Sequence, residues 1–236
     1  MPKLHKERCV IYPLDVDLEQ SHGDHGDHGD PQNHPQNHIN TMKLQHTPAI
    51  HISKNNKKRS NKFHMTINQS FDQVVEGCHD QHGIAWLYPP IVDAFRVIHE
   101  GSSLIQEQEQ ERDTSTNSFS VRLYSIEVWS ATTGELVGGE LGYATGSIYT
   151  SLTGFAKESN AGSVQLAALG TFLWQQGFEM WDLGMALDYK HDLGAHDMPR
   201  HEFVERVKAL RSKDVGLMKM EERQCCKSII LGGEGK

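Results

Sequence analysis

The chain has no apolar stretch near the ~18 residues that a membrane span requires, and its opening MPKLHKERC lacks an apolar signal core. These absences predict a soluble, cytoplasmic protein with no membrane partner. Cysteine is scarce: Cys9, Cys78, Cys225 and Cys226 are the full set in 236 residues, and none stands at CxxC or zinc spacing. That excludes a disulfide framework or a structural zinc site and fits a reducing compartment. The adjacent Cys225-Cys226 pair reads as incidental rather than as a redox couple. Also missing are the G-x-S-x-G elbow, H-E-x-x-H and G-x-x-x-x-G-K, which removes hydrolase, zincin and phosphate-loop chemistry. A CoA-dependent acetyltransferase needs a Gly-rich pyrophosphate loop at the start of its main helix. The corresponding segment, KESNAGSVQ (157–165), lacks that spacing. No metal and no organic cofactor is implied.

Acidic residues are absent between Asp30 and Asp72, although the chain as a whole carries a net charge of −8. The same interval holds Lys43, Lys54, Lys57, Lys58, Arg59 and Lys62, with His34, His38, His46, His51 and His64 beside them. Such a cluster suits phosphate neutralisation and salt-dependent nucleic-acid binding, and equally a solvated basic linker. The residues alone leave both open. An apolar fraction of 37% and a mean hydropathy of −0.56 are low for a fully folded chain, and the deficit is local. Residues 21–38, SHGDHGDHGDPQNHPQNH, repeat HGD and then PQNH. They can bury too little to offset the entropy of ordering, so disorder is expected there. His22, His25 and His28, spaced by three in a Gly-Asp tract, do not make a built metal site.

Folded sequence is expected from about His51. FHMTINQSFDQVVEGCHD (63–80) reads as a short strand and then a helix that places Phe71, Val74, Val75 and Cys78 on one face. Pro89-Pro90 opens a second helix carrying Val92, Phe95, Val97 and Ile98, with Gly101 as its end. Residues 102–120 are polar and acidic and read as a loop. From Val121 the period becomes two: VRLYSIEVWS, a turn at 131–134, ELVGGELGYA and GSIYTSLTGF form an antiparallel ladder. Ser159-Asn160 then caps a helix from Ala161 to about Gln176, with Val164, Leu166, Leu169, Phe172 and Leu173 as its apolar set. FEMWDLG is a buried-type strand. Two short helices follow, the second opening at Pro199, and the pattern fades after Lys213. The organisation predicted is 1–50 largely disordered, 51–101 a basic segment with helices leading into the core, 102–120 an acidic low-complexity insertion, 121–213 the core and 214–236 a flexible tail. Hairpins followed by helix, strand and helix give an α+β class.

Eight pieces stand in an order that resembles the leucyl/phenylalanyl-tRNA–protein transferase family. They are HISK (51–54), the basic cluster, FDQVVEGC (71–78), the helix ending Val97-Ile98-His99, SIEVW (125–129), ELVGG (135–139), SNAGSVQLA (159–167) and LGAHDMPR (193–200). The resemblance covers roughly residues 48–211. It implies a GNAT-type acyltransferase core and transfer of Leu or Phe from aminoacyl-tRNA to the N-terminal α-amine of an acceptor protein by a monomer. By resemblance, Lys54, Lys57, Lys58, Arg59 and Lys62 would meet tRNA, and Trp129, Gly138, Gly139, Phe155, Asn160 and Ser163 would line the substrate site. Trp129 reads first as a core aromatic, and Gly138-Gly139 first as a bulge or close strand approach. Phe155 suits the core or the amino-acid pocket. Asp182, after a buried-type strand, falls where the family has a relay carboxylate.

The chain departs from that pattern at Leu152, where the family has a catalytic Glu, at Gly184, where it has Gln, and at Ser163, where it has Lys. Most of the family's N-terminal domain has no counterpart before Glu7, which leaves a truncated product or a divergent branch. Ser151, Thr153 and Asp182 are the polar groups left to serve the chemistry. The donor is an activated ester and the acceptor an amine of pKa ~7.7–8.0, so proximity alone supplies on the order of 7–11 kcal/mol in favourable cases. A general base adds about 10²–10⁴, so its loss slows such a reaction without abolishing it. Two other readings stay open: an inactive relative that binds tRNA or N-terminal peptides, and an acyltransferase using another carrier.

Overall fold

A computed structural model describes residues 6–12, 50–108, 121–213, 215–220 and 222–232. The HGD and PQNH repeats, Lys43 and most of the acidic insertion lie outside the described residues. In chain order the elements are β1 (Glu7–Ile11), α1 (Lys54–Arg59) with a 3-10 turn at Ser60–Lys62, β2 (Phe63–Ile67), α2 (Phe71–His82), α3 (Pro89–Gln108), β3 (Val121–Ser130), β4 (Leu136–Thr145) and β5 (Ile148–Ala156). Then come α4 (Ala161–Gln175), β6 (Met180–Gly184), α5 (Asp188–Asp192), β7 (His196–Pro199), α6 (Arg200–Leu210), β8 (Gln224–Cys225) and α7 (Cys226–Ile230).

Eight strands form one mixed sheet in the order β7-β1-β6-β5-β4-β3-β2-β8. Only the β5–β6 pair is parallel, because α4 carries the chain from one end of β5 back to the start of β6. The expected ladder of β3, β4 and β5 forms its centre, with Glu127 opposite Gly139 and Glu140 opposite Gly154. Alternation sorts the two faces. Tyr124, Ile126, Val128, Val137 and Tyr149 pack on Val164, Ala168, Leu169 and Phe172 of α4 and on Cys226, Ile229 and Ile230 of α7. Leu123, Leu141 and Phe155 meet Phe71, Val74, Val75 and Cys78 of α2 and Val92 of α3 on the opposite face. Burial of these side chains, at roughly 1.5–3 kcal/mol for each large one, holds the layers together.

Several expectations need correction. Gly101 does not end α3, which continues to Gln108, and Val97 points to solvent at 70% exposure. Folded sequence does not start only at His51: ERCVI is a strand between β6 and β7. A five-residue strand offers almost no periodicity to read. The stretch after Lys213, expected to be a flexible tail, supplies β8 and α7, whose three apolar side chains are buried. Asn160 precedes α4 with φ 71° and makes no side-chain cap bond. The turn leading into α2 is held from β3, where Glu127 Oε1 accepts from the Gln69 and Ser70 amides at 3.2 and 3.1 Å.

Candidate functional site

A cavity of about 680 Å³ opens beside β5, between α1, α4 and α5. Its walls include Leu152, Phe155, Leu166, Leu183 and Leu193, with Ser151, Thr153, Ser163, Gln165 and Lys190 among the polar groups. Glu140 lines it as well. That side chain sits on the α4 face of β4, 4% exposed, and it accepts three hydrogen bonds. Ser151 Oγ and Tyr149 Oη donate to Oε1 at 2.8 and 3.0 Å, and Gln165 Nε2 donates to Oε2 at 3.0 Å. Burial pushes the carboxyl up to about 7, opposed by the donors Ser151, Tyr149 and Gln165 and then by the charge of Lys190. Glycine at 142 makes the arrangement sterically feasible, because any side chain there would collide with the Tyr149 hydroxyl and ring.

Lys190 is also buried. Its Nζ donates to the carbonyls of Leu183 and Met185 at 2.6 and 2.8 Å, and desolvation lowers its pKa. Ser151 Oγ accepts from Trp181 Nε1 at 3.0 Å while donating to Glu140. A second buried carboxylate, Glu127, lies on the other face. It accepts from the Thr66 and Ser125 hydroxyls and from the Gln69 and Ser70 amides just before α2, and burial raises its pKa.

The structure brings together some of the residues expected at the site and not others. Ser151, Thr153, Phe155 and Ser163 line the cavity, as does Leu152. Phe155 is also 3% exposed and fills the space over Gly77, so the two readings of it were not exclusive. Asp182 is not among the lining residues. It faces Arg8, which donates from Nε at 3.1 Å and Nη2 at 2.6 Å, and it accepts from the Gly184 amide at 2.9 Å. Trp129 also stands away from the cavity: its Nε1 donates to Thr66 at 2.8 Å and Arg223 lies 3.9 Å over its ring. Gly138 and Gly139 serve strand approach, since a Cβ on Gly139 would come within 2.7 Å of the Ile126 carbonyl. Asn160 accepts from Arg59 beside the start of α4.

Lys54, Lys57, Lys58, Arg59 and Lys62 are all exposed along α1 and the turn after it. Ser53 and Asn56 of the same segment line the cavity, so the basic helix borders its mouth. Cys9, His191 and Asp197 bring potential metal-ligand atoms within 4.8 Å of one another. Burial and the neighbouring Asp197 carboxylate raise the Cys9 pKa, which disfavours the thiolate a metal would need.

The sequence reading missed Glu140, Gln165, Tyr149 and Lys190. One signal for Glu140 was on the page: a carboxylate inside the apolar run LVGGELGYA must either point to solvent or be buried with partners.

The profile described as leucyl/phenylalanyl-tRNA protein transferase matches residues 44–208. The chain belongs to that family. Relatives named leucyl/phenylalanyl-tRNA–protein transferase include those of Pectobacterium atrosepticum, 27% identical over 67% of this chain, and Edwardsiella ictaluri, 28% over 70%. One from Shewanella woodyi is 30% identical over 64%. The matches span 60%, 61% and 56% of those three transferases, so the chain spans about three-fifths of the length of the curated relatives it matches. Within this family member the match takes in α1, the β3–β5 ladder, α4 and most of α6, and so every residue named as lining the cavity. No helix among the described residues is long and apolar enough to cross a membrane.

Proposed function

We propose that this chain transfers an aminoacyl group, leucyl or phenylalanyl, from aminoacyl-tRNA to the N-terminal α-amine of an acceptor protein, on a GNAT-type acyltransferase core. One observation carries the reading: a cavity with leucine and phenylalanine walls and a buried carboxyl is bordered by an exposed helix with four cations in its six residues. The apolar walls suit an uncharged amino-acid side chain. Lys54, Lys57, Lys58, Arg59 and Lys62 would hold the tRNA phosphates and bring its 3′ end to the opening. The chemistry needs little beyond this geometry, because the ester is already activated and an aligned amine attacks it directly. Ser151 and Thr153, whose side chains line the cavity, would be the hydroxyls that assist. Asp182 would act from a distance, by fixing β6 against β1 through Arg8, rather than at the reacting atoms.

Single-turnover transfer of radiolabelled leucine from Leu-tRNA to a peptide with an N-terminal Arg tests the proposal. Label in the peptide is the expected result. Absence of label together with salt-sensitive tRNA binding would leave a binding relative without the chemistry.

A further inference from the structure

Glu140 is a buried carboxyl with no part in holding the tRNA or the amino-acid side chain. A buried charge that served only packing would be better replaced by a neutral amide, which can fill the same volume and bond to the same neighbours. Glu140 has no ion pair within bonding distance among the described residues. The groups that face it are Tyr149 and Ser151 of β5, Gln165 of α4, and Lys190 and Tyr189 of α5, while the Cys78 thiol of α2 feels its charge from the other side of the sheet. Lys190 commits two of its three N–H bonds to backbone carbonyls. Among the three donors to the carboxylate, Tyr149 does not line the cavity and Gln165 is an amide that neither gains nor loses a proton readily, whereas Ser151 lines the cavity and carries a hydroxyl that can pass a proton on.

A serine hydroxyl has one hydrogen and two lone pairs. Ser151 directs the hydrogen to Glu140 and one lone pair to Trp181 Nε1–H. The second lone pair has no donor among the described residues, and the side chain lines the cavity. We propose that Glu140, through Ser151, is the proton acceptor for the attacking amine, supplying from β4 the carboxylate that β5 lacks at Leu152. This inference rests on the aminoacyl-transfer reading.

The step balances. The amine nitrogen bonds to the ester carbonyl carbon and its extra proton passes to Ser151 Oγ, whose own proton moves to Glu140. On collapse of the tetrahedral intermediate the C–O bond to the tRNA ribose breaks. The proton then returns from Glu140 through Ser151 to the departing ribose oxygen. The products are an amide and a free ribose hydroxyl, and both side chains end as they began.

The test is the pH dependence of leucyl transfer by wild type, Glu140→Gln and Ser151→Ala, with Leu-tRNA binding measured in parallel. Wild type needs an ionised Glu140 and a neutral acceptor amine, so log kcat/KM should rise with slope 2 below both ionisations. Glu140→Gln should fall by about 10²–10⁴ at pH 8, show slope 1 and bind Leu-tRNA as wild type does. Ser151→Ala leaves the Tyr149 and Gln165 bonds to Glu140 in place and should lose a comparable factor, which covers misfolding of the first variant. Transfer by Glu140→Gln or Ser151→Ala within threefold of wild type would overturn the relay alone. So would slope 1 in wild type. No transfer by wild type would overturn the aminoacyl-transfer reading and the relay with it.

Discussion

Glu140→Gln should make the protein more stable at pH 8 and no more stable at pH 4. The carboxyl goes from an ordinary value of 4.5 to about 7 on folding, and burial is the leading cause. The native state therefore holds its proton more tightly than the unfolded chain does. Stability from this group is complete below 4.5 and is lost as pH rises toward 7, after which the loss is constant. That difference corresponds to about 3 kcal/mol, since each pKa unit is 1.36 kcal/mol. The amide carries no charge at any pH, and Gln165 can turn its amide to donate or accept as the new neighbour requires. Urea denaturation of both proteins at pH 4.5, 6, 7 and 8 isolates the contribution, because every other group cancels in the difference. The variant should gain with pH and level off above about pH 7.5, with a Tm gain there of ~6–12 °C for a domain of this size. A difference that stays flat with pH, or a variant less stable at pH 8, would refute the claim that the carboxyl is strained by burial. Combined with a lost transfer rate, a stability gain would identify Glu140 as a group retained for chemistry at the expense of the fold.

Other perturbations test the frame around the cavity. Arg8→Ala leaves Asp182 nearly buried with the Gly184 amide as the one remaining partner of its side chain among the described residues, and should cost about 2–4 kcal/mol by denaturation, more than Asp182→Asn. Equal stability of Arg8→Ala and wild type would remove the β1–β6 tie. Gly142→Ala forces the Tyr149 hydroxyl off Glu140 and should lower stability by about 1–3 kcal/mol, with transfer falling in parallel. An unchanged Tm would show that the bulge beside it can absorb the methyl group. Reversing Lys57, Lys58 and Arg59 to Glu should reduce the slope of log affinity for tRNA against log salt by about 2–3. An unaltered slope excludes α1 as a phosphate contact. Gly184→Gln should destabilise by about 1–3 kcal/mol without raising the rate, because φ there is 82°. A faster enzyme would mean that this position takes part in chemistry.

The central ladder was legible because period-two runs of β-branched and aromatic residues are long there, α2 because its apolar residues share one face, and α4 because a long apolar run rich in Ala and Leu follows Ser159-Asn160. β1 and the β8–α7 segment were not. Each is held by partners distant in sequence, Gly184 and Met198 for β1 and His64 for β8, and so carries little local pattern of its own. The site divided in the same way. Ser163 lies on a segment that carries the resemblance, and Ser151, Thr153 and Phe155 lie on the strand between two such segments; all four line the cavity. Trp129, on the segment 125–129, and Asp182, on β6, turn instead to Thr66 and Arg8. Side-chain direction depends on strand parity and bulges, neither of which a motif records.

The apparent loss of the catalytic carboxylate comes from reading one strand at a time. Registering GSIYTSLTGF against the family leaves Leu152 where a Glu is expected, and along β5 alone the chemistry looks unsupported. Neighbouring strands lie ~4.8 Å apart, however, and side chains one strand over reach the same space. The ladder sets Glu140 opposite Gly154, and a bulge after Leu141 brings Gly142 opposite Ser151. With hydrogen in place of a side chain at both glycines, Glu140 can lie across to Ser151 at 2.8 Å. A carboxylate moved to the adjacent strand thus serves a hydroxyl on the original one. If this is how the site is built, adding the expected carboxylate back at Leu152 should not improve the enzyme. It would set a second negative charge in the cavity that Glu140 lines, where like charges disfavour joint ionisation. Leu152→Glu should therefore shift the acidic limb of the transfer profile to higher pH and lower the rate at pH 7. A faster variant with an unshifted profile would return the reaction to β5.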